Sequence, residues 1–377
     1  MKNNNLYIII VLTLSFIYGC EKDYLDTIPK GAVSSEQISS DPIASAKANQ
    51  VIIDGIYANM RTFDIGGSDS DVDYGHKGID TAMDMMGHDI VLNSFNWYVF
   101  IYNYEGRVAN SSRSSMVWNS YYTFIADANS VINSINNSEN LTDEQKALLG
   151  QALTLKSFSL FNLIRAYSLT YIGNENDPGL PIPDRLSFGP QGRGTVQKVY
   201  DEIIPSLEKA VDLLEGYSRG ESKQAIDQSV AQGILARVYL ETGNWAGAAD
   251  MANKAKQNYQ LMTGQEWVND GFATITNNEW MWGADINSET STGFASFFSH
   301  FDNTKDGYGG DKLIDSRLYD LIPDTDLRKT AYVDPINGNQ NYPDLPGYAQ
   351  LKFIGDANFE GDYSYMRVSE MWLIEAE

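Results

Sequence analysis

ILARVYLETGNWAGAADMA, residues 234–252, reads as two helices folded back on each other. Leu235, Ala236 and Tyr239 recur at helical spacing before Gly243, and Trp245, Ala248, Ala252 and Ala255 recur after it. Small residues let two helix axes approach closely, and Tyr239 and Trp245 have the size to fill the space between them. Gly243 opens the turn, because glycine accepts the left-handed backbone that ends a helix. One such pair cannot bury its own apolar face, so neighbours of the same kind are required.

Across Gln228 to Gln257 this pattern matches the tetratricopeptide repeat at most of its defining positions. The flanking sequence supplies candidate neighbours. Asp41 to Arg61 has apolar residues at roughly helical spacing, as does Trp118 to Ile135. Thr142 and Gln145 form a capping-box pattern before a helix that is apolar nearly all round from Leu148 to Tyr171, which predicts burial between other helices. Asp177-Pro178-Gly179 and Pro181-Ile182-Pro183 then make a rigid extended loop. Thr195 caps a further helix, in which Pro205 is expected to make a kink or a break because it has no N–H. The expectation is a mainly α fold of tetratricopeptide-like helix pairs within about 118–260 and 366–377, with an irregular, loop-rich region packed on it. That region starts after Gln260, where Gly, Asn, Thr and aromatics dominate and one strand-like run spans Glu279 to Ile286. Asp311 to Arg328 reads as partly helical. A last amphipathic helix runs to Glu377 without a stop signal, which predicts a chain cut short.

The start of the chain has another character. Lys2 precedes an apolar run from Leu6 to Tyr18, the length of a secretory h-region and too short to cross a bilayer as a helix. Gly19 and Cys20 follow, and this junction resembles the lipobox of bacterial lipoproteins, with Ile17 where Leu is usual and Tyr18 bulkier than usual. The resemblance implies cleavage after residue 19, leaving a 20–377 domain, and a lipid on Cys20. Cys20 is the chain's single cysteine, so a disulfide within the chain is impossible. Several acyl chains anchor far more firmly than one.

The chain has 377 residues and a net charge of −23, which repels phosphate backbones and argues against nucleic acid as a partner. Its 23 Tyr, 15 Phe and 7 Trp are too many for a disordered acidic chain. They serve a core first and permit stacking surfaces for a ligand. His76, His88 and His300 form no zinc pattern, and neither a nucleophile elbow nor a P-loop is expected.

Six segments in order resemble the SusD/RagB family of outer-membrane nutrient-binding lipoproteins of Bacteroidetes. They are CEKDYLDTIPKG from Cys20, WNSYYTFIADANSVINSI from Trp118, ALTLKSFSLFNLIRAYSLTYIGNENDPGLPIP from Ala152, the repeat pair from Ile234, DKLIDSRLYDLIPDTDLRK from Asp311, and YMRVSEMWLIEAE from Tyr365. This chain carries a longer Tyr-Ile-Gly-Asn-Glu-Asn-Asp-Pro loop where the family has a tight turn. The resemblance implies a lipid-anchored protein on the cell surface. It implies capture of oligo- or polysaccharide and delivery to a SusC-like TonB-dependent transporter, without catalysis and without a cofactor. The family usually continues well beyond the last helix. A helical-repeat lipoprotein that binds peptide or protein is the alternative, and a glycoside hydrolase is less favoured, although fifty acidic residues make chance carboxylate pairs inevitable.

Sugar rings stack their C–H faces on aromatics, and their hydroxyls pair with amides and carboxylates. NSFNWYVFIYNY, from Asn93, offers Asn96, Trp97 and Tyr98 where the resemblance implies ligand contacts; the alternative for Trp97 is the core. Tyr74 in the preceding loop, and Phe298, His300, Phe301 and Tyr308, are further candidates for an aromatic platform. Trp280 and Trp282 share one face of the strand-like run and are expected in the core. Asp69, Asp71, Asp73 and Asp80 have the spacing of a calcium loop, but Tyr74 stands where the turn glycine belongs, so a solvated acidic loop is the preferred reading.

Overall fold

The computed structural model describes residues 42–135, 140–183, 191–269, 271–309, 312–356 and 358–377. The predicted signal, Cys20 and the CEKDYLDTIPKG segment lie outside the described residues. The chain groups into residues 1–48 and 49–377. Of the first group only the opening turns of helix α1 (Pro42–Asn59) are described.

After α1 come α2 (His76–Asp84), strand β1 (Ile90–Leu92) and the one-turn helix α3 (Val99–Tyr102). Five longer helices follow: α4 (Ser112–Ile135), α5 (Asp143–Tyr167), α6 (Val196–Leu213), α7 (Gln228–Glu241) and α8 (Trp245–Ala255). The irregular region carries α9 (Gly264–Val268), β2 (Trp280–Ala284), α10 (Phe297–Phe301), β3 (Lys312–Ile314), α11 (Ser316–Leu321) and a 3-10 turn at Leu327–Ala331. Strand β4 (Tyr363–Arg367) and α12 (Val368–Ala376) end it.

The body is a row of helices, each packed on the next from α4 to α8, with α12 returning onto α7 and α8. The mainly α fold is as expected. Thr142 makes the capping box with Gln145, and Asp143 and Glu144 face the positive end of α5. By length and composition α5 could cross a bilayer, but 94% of its most apolar window is buried inside the protein, so it is the core helix of the row. Lys156 ties α5 to α6 through Glu202 at 2.6 Å, and Arg237 ties α7 to α12 through both carboxylate oxygens of Glu370.

Three expectations differ in detail. Pro205 does not split α6, which runs on through it. Pro205 is on the exposed side, where water can serve the carbonyl that its ring leaves unpaired. Trp245 does not fill the space between α7 and α8 but stands 53% exposed; Ala248, Ala252 and Ala255 are buried there instead. The acidic loop expected to include Asp69, Asp71, Asp73 and Asp80 stops short of Asp80, because α2 starts at His76.

Two short strand pairs organise the irregular region. β2 runs antiparallel to β4, with Trp280 opposite Arg367 and Ala284 opposite Tyr363. Every residue of β2 is buried. Trp280 and Trp282 are core residues, their indole N–H groups donating to the carbonyls of Gly271 and Gln224. β1 runs antiparallel to β3, with Ile90 opposite Ile314 and Leu92 opposite Lys312. This second pair matters for function, because β1 leads into residues 93–104 and β3 follows Tyr308.

Candidate functional site

The site begins with a turn that only glycine permits. Gly75 has φ +75, and a Cβ there would lie 2.2 Å from the Met60 carbonyl oxygen. The turn sends Tyr74 inward before α2 begins. Tyr74 is fully buried, and its hydroxyl meets that of Tyr98 at 2.9 Å and Thr81 Oγ1 at 3.0 Å. Tyr98 is equally buried at the start of α3.

His300 joins these two rings. Its ring stacks on Tyr74 at 5.6 Å and meets Tyr98 edge-on at 5.1 Å. Its Nε2 lies 2.9 Å from the Asp71 carbonyl oxygen, and only an N–H can serve that acceptor, so the proton is on Nε2. Burial, then nearby Lys312, lowers its pKa to about 3. The imidazole is therefore neutral at any ordinary pH.

Above this buried layer lies an exposed one. Tyr308 packs on His300 at 5.0 Å and donates its hydroxyl to Asp71 Oδ2 at 2.8 Å. Trp97 is 47% exposed and meets Tyr308 edge-on at 6.2 Å. On the other side Phe294, 54% exposed, lies 5.7 Å from Tyr308. Asn96 links the two strand-pinned segments, its Nδ2 donating to the Tyr308 carbonyl at 3.3 Å while its Oδ1 accepts from buried Lys312. The result is a run of rings, Trp97–Tyr308–Phe294, whose middle ring rests on His300 and through it on Tyr74 and Tyr98.

The six residues singled out for ligand contact thus come together, but in two layers. Tyr74, Tyr98 and His300 offer no exposed face, so their expected direct contact with a ligand is corrected to support of the Tyr308 ring. Phe298 and Phe301 are also buried: Ser296 caps α10, and within it Phe297 stacks on Phe301 at 4.8 Å. Sequence reasoning missed Phe294. In the sequence it reads as the first of four phenylalanines at helical spacing, with Phe297, Phe298 and Phe301, and so as a core residue; only its place directly after Gly293 set it apart.

Trp97 also stands at the edge of a cleft of about 1060 Å³, whose walls include Phe100, Trp118 and Tyr167. A second cleft, of about 770 Å³, lies in the helical body beside His76, Arg237 and Trp245, away from the ring run.

The four aspartates with calcium-loop spacing do not converge on one point. Among the described residues no three His, Cys, Asp or Glu side chains are grouped to hold a metal. Asp71 serves Tyr308; Asp73 is buried and accepts from Gly66 N–H and Ser68 Oγ; Asp80 lies 3.4 Å from His76. No such side-chain convergence includes Asp69, whose backbone takes a left-handed turn at φ 47. One motif passed over in the sequence is Gly216-Tyr217-Ser218-Arg219-Gly220, which spells G-x-S-x-G. It lies between two helices and not on a strand-to-helix turn. Ser218 Oγ accepts from the Gly220 N–H, and Arg219 pairs with Asp227 at 3.0 Å, so nothing there makes a nucleophile elbow.

The family described as SusD-like, starch-binding and associating with the outer membrane, matches residues 23–240. The chain belongs to this family. It is similar to a SusD-like carbohydrate-binding protein from Bacteroides vulgatus at 27% identity, covering 88% of this chain and 70% of that one, with a TM-score of 0.74. It is also similar to a sugar-binding protein from the same species, so described, at 25% identity, 88% and 73% coverage and a TM-score of 0.70. A surface glycan-binding protein A from Bacteroides fluxus shares the fold at 16% identity, 88% and 74% coverage and a TM-score of 0.66. No curated protein sequence matches.

Proposed function

We propose that this chain captures oligo- or polysaccharide on the exposed rings of Trp97 and Phe294 and the partly buried ring of Tyr308 between them, and releases it unchanged. The observation that carries this reading is the ring run itself. Two large rings stand about half exposed where burial would be worth about 1.5–3 kcal/mol each, and a buried layer holds the Tyr308 ring between them. Rings held in advance lose little freedom when a sugar stacks on them. Asn96 and Asp71 lie at their base as hydrogen-bonding groups. Membership of a family described as starch-binding supports the same ligand class.

The wider setting is also a proposal. A lipid on Cys20 holds the chain at the outer membrane, facing outward, and a SusC-like TonB-dependent barrel receives the glycan. The 20–377 domain acts without bond making. Asp71, the carboxylate beside the rings, already accepts the Tyr308 hydroxyl.

Native affinity electrophoresis against plant and host polysaccharides tests the capture step. Retardation by at least one polymer, reduced in Trp97→Ala, is expected. No retardation by any of them overturns the glycan reading and leaves a peptide ligand for the helical repeat.

A further inference from the structure

The cleft beside Trp97 carries an unusual charge for so acidic a chain. Arg107, Arg113, Arg165 and Arg193 line it, against the single carboxylate of Glu105. The whole chain has a net charge of −23.

The pairing of arginines elsewhere sharpens the contrast. Arg219, Arg237, Arg317, Arg328 and Arg367 each hold an Asp or Glu within 3.0 Å. Among the described residues none of the four cleft arginines makes an ion pair. Their contacts are neutral. Arg113 donates to the Gly78 carbonyl at 3.1 Å, and Arg193 to those of Tyr167 and Gly179 at 3.1 and 3.0 Å. Arg107 lies over the Tyr104 ring at 4.2 Å and Arg165 beside Phe161 at 5.2 Å. These contacts orient the guanidinium groups without an ion pair; Asp73 acts on Arg113 only from beyond ion-pair distance. Each group has five donors, and carbonyls and sulfur take only some of them.

A second observation points the same way. The first turn of α4 lines the cleft at Ser112, Arg113, Ser114 and Ser115. The start of a 24-residue helix presents unpaired N–H groups and the positive end of its dipole. Acidic side chains usually offset that end; here the first turn has none and carries Arg113 instead. Burial already pulls the pKa of Arg113 down. An anion in the cleft would relieve both the dipole and the arginine.

We propose that the ligand is an acidic glycan, with the carboxylates of uronate units seated in the arginine-lined cleft and neighbouring rings stacked on Trp97. This rests on the glycan-capture reading and names the class of sugar. Arginine suits the task because its planar fork meets a carboxylate with two parallel hydrogen bonds. Trp118 and Tyr167 add flat walls for the sugar rings between carboxylates.

The test is titration of the purified chain with oligosaccharides of polygalacturonate, alginate and hyaluronate beside neutral ones from starch, laminarin and galactan. At least one uronate set should bind more tightly than every neutral set, and its affinity should fall as salt is added. Because the chain repels polyanions as a whole, such binding requires a local site. Arg193→Gln with Arg107→Gln should weaken uronate binding tenfold or more and leave neutral binding unchanged, while Arg193→Lys keeps part of the affinity. An unchanged melting temperature in these exposed-site variants separates lost binding from lost fold. Neutral sugars bound as tightly as uronates, or uronate affinity unmoved by the arginine changes, overturns this inference and leaves glycan capture standing. Binding of no sugar of either kind overturns both.

Discussion

Trp97 and His300 show how differently two neighbouring residues serve one site. Trp97 keeps half its surface free, so replacing it removes ligand contact and little else. Trp97→Ala should weaken glycan binding by about 1–2 kcal/mol, roughly five- to thirtyfold, with the unfolding midpoint nearly unchanged. His300 has no surface to offer, and its contribution is read through pH. In an unfolded chain a histidine titrates near 6.5, while here burial lowers the value to about 3. Between those values the unfolded state binds the proton and the native state does not, so stability rises with pH and is lost as pH falls from 6.5 towards 3. Asp362 works against this trend: burial raises its pKa to about 6, so the native state is the better proton binder between 3.8 and 6. Denaturant unfolding at pH 7 and pH 4.5 should therefore be compared between wild type and His300→Gln. The acid penalty specific to His300 should be about 2–3 kcal/mol, and equal pH dependence in both chains would show that the ring is not held neutral. The sequence identified the types and neighbourhoods of both residues. It could not assign their layers, because a Trp in an aromatic run and a His beside two Phe look alike until the chain's path is known.

Among the elements, the long helices and strand β2 were legible, and the one-turn helices and strands β1 and β3 were not. α5 and α6 announce themselves by their caps, α5 also by being apolar nearly all round, and α7 and α8 by apolar residues at helical spacing on either side of Gly243. β1 and β3 are three residues long, too short for any alternation to register, yet their pairing brings Asn96 and Trp97 beside Tyr308. The turn at Gly243 was readable because the letter and the backbone agree: its φ is +74. Gly243→Val forces a branched side chain into that conformation, with Cβ 3.3 Å from Ile172 Cδ1. It should cost about 1–3 kcal/mol in chemical denaturation and leave sugar affinity as it was. A cost near zero would mean that the α7–α8 turn is not what holds the pair.

For the whole molecule, composition and family agree where composition alone could not choose. Excess aromatics allowed a stacking surface but gave no address for it, and net acidity hid the local basic cleft. Charge summed along a chain cannot reveal four arginines that only folding gathers. The proposed lipid anchor belongs to this scale as well. In a Bacteroidetes host, Cys20→Ala should move the chain from the membrane fraction to the soluble one, and retention in the membrane fraction would contradict anchoring through that residue.

The central claim is that the ring run is the capture surface, and calorimetric titration of a retained oligosaccharide into four variants tests it most directly. Trp97→Ala, Tyr308→Ala and Phe294→Ala should each lower affinity about tenfold or more, a loss of about 1.4 kcal/mol. Trp245→Ala removes an equally exposed tryptophan of the helical repeat and should bind like wild type. Loss of binding in Trp245→Ala, with the three ring variants unaffected, would contradict the account and place the ligand on the helices.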